Sequence, residues 1–215
     1  MADTARACPQ GAPQCRMATP NYYRQQAQAY AQATQGVDMA ALYTRFTPHL
    51  PPGGRVLDAG CGSGRDARAF AAMGYQVAAF DASPELAAIA SAHSGLAVQV
   101  ADFLTLPTPD TPFDGIWACA SLLHVPQAEQ PQAWARLWQA LRPGGVVYAS
   151  YKLGDDALPA ERMDELGRAF TDGTPERLAR WVRGLADLAR VDTWVTGDQG
   201  ERAGVMWLNV LVIKA

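Results

Sequence analysis

The chain has 215 residues, 49% hydrophobic and 18% charged, enough to bury a sizeable core and to exclude disorder for the bulk of the sequence. Its net charge of -3, from 18 basic and 21 acidic side chains, gives no basic face for tracking nucleic-acid phosphates. No apolar run approaches the ~20 residues of a membrane span, and Met1 to Pro20 lacks the apolar centre of a secretory signal; a cytoplasmic protein without nucleic-acid or membrane partners is expected. Residues 1–20 show no apolar periodicity and carry Pro9, Gly11, Pro13 and Pro20, which predicts a disordered tail. A helical cap is predicted over 21–50: Asn21 caps a Tyr-rich helix through Tyr22, Tyr23 and Tyr30, and Asp38 caps a second helix to Phe46. The main domain is predicted over 51–215, starting with a short apolar strand, Arg55 to Ala59. A glycine loop and a helix closed by Gly74 follow, then a strand over Tyr75 to Phe80. Ser83-Pro84 opens the next helix as cap and first-turn proline. Strands at Leu96 to Val100 and Phe113 to Ala118, a helix at Pro131 to Leu141 and a strand at Val146 to Tyr151 continue the rhythm. Two strands without a long helix between them, Val191 to Val195 and Val205 to Ile213, predict a closing antiparallel hairpin.

Alternating strands and helices imply an α/β, doubly wound, Rossmann-like sheet that is mostly parallel. Three acidic residues stand at the C-terminal ends of successive strands, the edge where open α/β sheets bind ligands. Asp58 precedes a Gly60-Cys61-Gly62-Ser63-Gly64 loop, whose glycines permit sharp turns and close backbone approach. The dinucleotide fingerprint needs its third glycine one place later, where Arg65 stands. A carboxylate before the first glycine suits a cofactor carrying an ammonium group and would repel a pyrophosphate. Asp81 lies about 20 residues on, placed to accept from ribose hydroxyls. Asp102-Phe103 suits an adenine, with the carboxylate accepting from the amine and the ring covered by an apolar side chain. Four cysteines form no Cys-x-x-Cys pair, and Cys61 and Cys119 are expected to be packing thiols; no metal is expected.

The runs Asp58 to Gly64, Phe80-Asp81-Ala82-Ser83, Ala101-Asp102-Phe103, Phe113 to Ile116 and Leu141 to Gly145 resemble class I S-adenosylmethionine (SAM)-dependent methyltransferases. Gly64-Arg65-Asp66, Ser121 to His124 and Trp207-Leu208-Asn209 are similar to the tellurite-resistance-type branch. The resemblance implies a seven-stranded sheet with a reversed last strand, and SAM as cofactor. It implies that Gly60, Cys61 and Gly62 pass beneath the methionine part, Asp81 and Ala82 meet the ribose, and Asp102 and Phe103 meet the adenine. Ala118, Cys119 and Ala120 would wall the sulfonium, with Tyr23 and Tyr30 over the cofactor.

Methyl transfer from a sulfonium needs alignment and dry surroundings more than a dedicated base. His124 is the candidate if a proton must leave. Tyr22, Arg65, Tyr151, Lys152 and Arg168 are candidates for the methyl acceptor, a small molecule that is either an oxyanion such as tellurite or a small metabolite. The chain would work as a monomer or homodimer. Two other readings stay open: a SAM-binding sensor or partner subunit without turnover, and a nicotinamide-dependent oxidoreductase, against which the glycine spacing argues.

Overall fold

The computed structural model describes residues 6–7, 13–200 and 202–215. Ten strands and six α-helices occur among them: β1 (Arg6–Ala7), α1 (Pro13–Thr34), α2 (Ala40–Phe46), β2 (Arg55–Ala59), α3 (Arg65–Ala72), β3 (Gln76–Asp81), α4 (Pro84–Ser94), β4 (Val98–Val100), β5 (Phe113–Ala118), α5 (Gln130–Ala140), β6 (Leu141–Lys152), β7 (Glu161–Met163), β8 (Ala169–Thr171), α6 (Pro175–Val182), β9 (Leu188–Gly197) and β10 (Met206–Lys214). Seven strands form the main sheet in the order β4-β3-β2-β5-β6-β10-β9. β2, β3, β4, β5 and β6 pair in parallel, and β10 runs antiparallel to both β6 and β9. The doubly wound sheet with its reversed strand is thus as expected.

Both faces of the sheet are covered, and the period of two along each strand divides the core. Ile116 faces Leu57, Phe80, Trp134 and Leu137, whereas its neighbour Trp117 faces Phe46, Phe70 and Tyr148. Trp117 stacks on Tyr148 with ring centroids 3.9 Å apart. Trp134, Trp138 and Trp181 are buried in the same core as Ile116. Phe113 to Ala118 and Arg55 to Ala59 match their predicted strands residue for residue. Ser83 caps α4, its hydroxyl accepting from Leu86 N at 3.2 Å.

Three features differ from expectation. The first helix begins at Pro13, not at an Asn21 cap, and Thr19 is buried with its hydroxyl accepting from Ala169 N at 2.7 Å. The predicted tail therefore includes helical residues 13–20, because a long-range contact supplies what local periodicity lacks; residues 1–5 and 8–12 of that tail lie outside the described residues. β6 does not start at Val146 but is already paired with β5 at Leu141, and Pro143-Gly144-Gly145 interrupts its register. Finally, β7 and β8 form a small antiparallel sheet with β1, inserted between β6 and α6. Short strands with few apolar positions leave no alternation to read. Among the described residues no helix is long and apolar enough to cross a membrane.

Candidate functional site

The glycine loop leaves β2 and is clasped by β3: the N–H groups of Gly60 and Cys61 both donate to the Phe80 carbonyl at 2.9 Å. Gly60 adopts φ +73°, and a Cβ there would stand 2.6 Å from Cβ of Ser121. Glycine is required on both counts. Asp81, at the end of β3, completes the turn. Its Oδ2 accepts from Gly62 N and its Oδ1 from Ser83 N, each at 2.8 Å. Burial raises its carboxyl above the ordinary value, opposed by these two N–H groups.

Above the loop lie two neighbouring chambers, of about 900 and 450 Å³, that share several wall residues. Gly60, Gly62, Ala120, Tyr23, Tyr30 and His124 line both. Asp81, Ala82, Asp102 and Phe103 line the larger. Asp102 Oδ1 accepts from Leu104 N and Thr105 N at 2.8 Å, while its Oδ2 has no partner among the described residues. Phe103 packs edge-on against Phe80 at 5.3 Å. Cys61, Cys119, Tyr22, Arg65, Lys152 and Arg168 line the smaller chamber. Ala120 has φ +50°, a left-handed conformation costing roughly 1–2 kcal/mol for an L-residue. Its N–H donates to Ser150 Oγ at 2.8 Å, which holds the turn over the cavity.

Helix α1 forms the roof. Tyr30 closes on Gly62, where an added Cβ would lie 3.2 Å from its Cε1. Thr34 donates to Ser63 Oγ at 3.0 Å. Tyr22, Tyr23 and Tyr30 meet edge to face, with centroids 5.2 and 5.1 Å apart. Tyr23 Oη lies 2.9 Å from His124 Nε2, and His124 Nδ1 lies 2.9 Å from the Ala169 carbonyl. A carbonyl only accepts, so Nδ1 carries the proton and Nε2 accepts from Tyr23. Burial pushes the His124 pKa down to about 4, Arg168 and Lys152 push the same way, and the Ala169 bond opposes. The ring is neutral at pH 7.

Three expected site residues do not reach either chamber. Asp58 is buried, and its Oδ2 has no hydrogen-bond partner among the described residues; burial, then the Asp66 charge, raise its carboxyl well above the ordinary range. Ala118 is fully buried inside β5, and the wall begins one residue later at Cys119. Tyr151 donates to Gln130 Oε1 at 2.8 Å and accepts from Trp134 Nε1 at 3.1 Å. Alternation along β6 turns Ser150 and Lys152 to the cavity and Tyr151 to the opposite face. Arg65 lines the smaller chamber but forks onto Asp66, Nε and Nη2 donating at 2.7 and 2.8 Å.

Asp66 carried no expected role. Besides Arg65 it accepts from Tyr43 Oη at 2.5 Å and Trp117 Nε1 at 2.8 Å, joining α2, α3 and β5 beneath the chamber. Although burial opposes its charge, Arg65 and these donors hold its carboxyl below the ordinary value. Asn209, also missed, lines the smaller chamber and accepts from Tyr148 Oη at 2.7 Å. A lone amide inside the apolar run of β10 was its sequence signal. Phe170, on the inserted hairpin, lines both chambers and had no such signal.

Residues 56–145 match the sequence profile of the family described as Methyltransferase domain. An uncharacterized methyltransferase of Geobacillus kaustophilus is 30% identical over 186 residues, 82% of this chain and 81% of that protein. The chain belongs to the class I SAM-dependent methyltransferases. A ubiquinone biosynthesis O-methyltransferase of Xanthomonas campestris pv. campestris is 34% identical over 151 residues. That match spans 61% of this chain and 62% of the relative, less than two thirds of the relative's length. The crystal structure of Burkholderia thailandensis 1,6-didemethyltoxoflavin-N1-methyltransferase, with bound 1,6-didemethyltoxoflavin and S-adenosylhomocysteine, superposes with a TM-score of 0.76. It covers 100% of this chain and 98% of its own at 24% identity, a likeness of fold. The methyltransferase glycine loop, strand-end carboxylates and tyrosine roof of this chain thus sit on a sheet of the same architecture.

Proposed function

We propose that the chain is a SAM-dependent methyltransferase acting on a small molecule. One observation carries this reading: Asp81, braced through both oxygens by the glycine loop and the α4 cap, faces a cavity whose next strand end presents Asp102 and Phe103. An acceptor-only carboxylate with free lone pairs suits the two ribose hydroxyls. The partnerless Asp102 Oδ2 suits the adenine amine, and Phe103 the ring. Gly60 and Gly62 line both chambers, and a Cβ at either would press on Ser121 or Tyr30, so the loop meets the cavity with bare backbone, which suits a methionine chain. Cys61, Cys119 and Ala120 wall the smaller chamber, and Ala120 also lines the larger. When bound, SAM supplies a methyl carbon made electrophilic by a sulfonium and leaves as a neutral thioether.

The protein's own contribution is to align the acceptor, exclude water and receive a proton. Alignment can lower such a barrier by roughly 7–11 kcal/mol. Tyr23 and His124 provide the proton path. As an acceptor hydroxyl or amine gains the methyl group, its proton passes to Tyr23 Oη while the Tyr23 proton passes to His124 Nε2. The imidazolium so formed lies near Arg168 and Lys152, which favours prompt release of the proton. Of the two acceptor classes raised by the sequence, an inorganic oxyanion such as tellurite would leave the tyrosine and Phe170 walls unused. The walls and volume of the cavity support a small metabolite.

Calorimetric titration with SAM and S-adenosylhomocysteine, with NADH as control, tests the reading, followed by a methyl-transfer screen across hydroxyl- and amine-bearing acceptors. Micromolar binding of the sulfonium and turnover on one acceptor are expected. Absence of SAM binding would sink the proposal, and product binding without any turnover would favour a sensor.

A further inference from the structure

The smaller chamber holds more positive than negative charge. Four cations line it: Arg65, Lys152, Arg168 and Arg202. Three have carboxylate partners: Arg65 pairs with Asp66 at 2.7 Å, Arg168 with Asp164 at 2.7 Å and Arg202 with Asp198 at 2.5 Å. Lys152 has no ion-pair partner among the described residues: the nearby Asp172 gives Oδ2 to Arg162 at 2.6 Å, and its buried Oδ1, without a hydrogen-bond partner among them, acts on Lys152 only from beyond ion-pair distance. Its ammonium instead lies 4.0 Å from the centroid of Phe170, a ring that Arg168 also overlies at 5.3 Å. A half-buried cation without a counter-charge is costly unless something supplies one.

Position adds to charge. Lys152 ends β6 on the cavity side of the sheet, and Arg168 stacks on Tyr22 of the roof helix at 4.9 Å. Both therefore reach the chamber that also holds Tyr23 and His124, the proposed proton path. We propose that this chamber is the acceptor site and that the acceptor is a small organic acid, whose anionic oxygens are bound by Lys152 with Arg168. The acid would supply the missing counter-charge and set the acceptor's orientation, with its nucleophilic oxygen or nitrogen towards Tyr23. This rests on the methyltransferase reading and specifies its substrate class.

The charged and titratable groups facing Lys152 are Arg162, Arg168, Asp172, Arg202 and the neutral His124. Burial first, then Arg162 and Arg168, lower the Lys152 pKa to about 8. The ammonium is therefore present below that pH, and anion affinity should fall as pH rises through it.

The test uses the whole chain loaded with S-adenosylhomocysteine, titrated with benzoate, phenylphosphonate, the neutral benzamide and inorganic phosphate, and read by tryptophan fluorescence and calorimetry. At pH 7 at least one organic acid should bind roughly 10-fold or more tighter than benzamide, the scale of a charge-assisted hydrogen bond. Lys152→Met should abolish that preference, and Lys152→Arg should keep most of it. Affinity for S-adenosylhomocysteine should stay unchanged in both variants. Equal affinity for acid and amide in the wild type, or a preference that survives Lys152→Met, overturns the inference. Inorganic phosphate binding as tightly as the organic acids, with the same dependence on Lys152, overturns its organic part. Failure to bind S-adenosylhomocysteine would strike the methyltransferase reading itself, a separate result.

Discussion

Replacing Asp81 with alanine tests the cofactor assignment at its centre. The carboxylate makes two backbone bonds of 2.8 Å, to Gly62 and Ser83, and faces the larger chamber. Hydrogen bonds to a charged group contribute roughly 1.5–3 kcal/mol. Loss of the ribose contacts should therefore weaken SAM and S-adenosylhomocysteine binding about 10- to 150-fold, at ~1.4 kcal/mol per tenfold. Stability should change far less. Burial raises the Asp81 carboxyl, so its charge opposes folding at neutral pH, and removing it offsets the two lost backbone bonds, whose donors water in the cavity can satisfy. A net effect within about 1 kcal/mol in urea unfolding is expected. Calorimetry on Asp81→Ala, beside the exposed Asp102→Ala, supplies the comparison, and the latter should cost only about 1 kcal/mol in affinity. An Asp81→Ala protein that folds normally and binds both ligands as tightly as the wild type would refute the ribose assignment.

Other expectations follow from the same geometry. Gly60→Ala should lower the melting temperature, because its Cβ would lie 2.6 Å from that of Ser121 at φ +73°; about 2–4 kcal/mol from strain and overpacking is expected in chemical denaturation. Tyr43→Phe removes the 2.5 Å bond to buried Asp66 and should cost roughly 1.5–3 kcal/mol, whereas a neutral result would mean Arg65 and Trp117 satisfy Asp66 unaided. His124, whose folded pKa of about 4 lies below the unfolded value, takes up protons more readily when unfolded. Its contribution is complete above about pH 6.5 and is lost as pH falls towards 4, up to roughly 3 kcal/mol. The drop in melting temperature between pH 7 and pH 5 should shrink in His124→Gln, and an unchanged drop would contradict the buried neutral ring. Tyr23→Phe should reduce kcat at least about tenfold with a smaller change in KM for the acceptor, as expected for a proton path.

The sequence carried the features that depend on neighbours along the chain. β2 and β5 were readable from short apolar runs, the loop from glycine spacing, and α4 from Ser83 and Pro84. Each is decided within a few residues by sterics, capping or alternation. Asp81, Asp102 and Phe103 were legible because strand ends in a parallel sheet share one rim, so locating the strands located the side chains. Where the reading failed, the deciding partner was remote. The start of α1 depends on Thr19 meeting Ala169, 150 residues away. Tyr151 was a candidate for the acceptor because it ends a strand on the ligand edge of the sheet, yet the register of β6 sends it to the other face.

Sequence alone determined the architecture and the edge of the sheet where ligands gather, since periodicity and strand order are properties of the chain's local chemistry. Only the tertiary structure decided the state of the side chains along that edge. Tyr23 and His124 meet across 101 residues, which makes His124 a neutral hydrogen-bond acceptor. Arg65, Arg168 and Arg202 find carboxylates, while Lys152 finds none within ion-pair distance among the described residues. Charge balance, tautomer and burial belong to assembled neighbours, so no one segment of the chain specifies them.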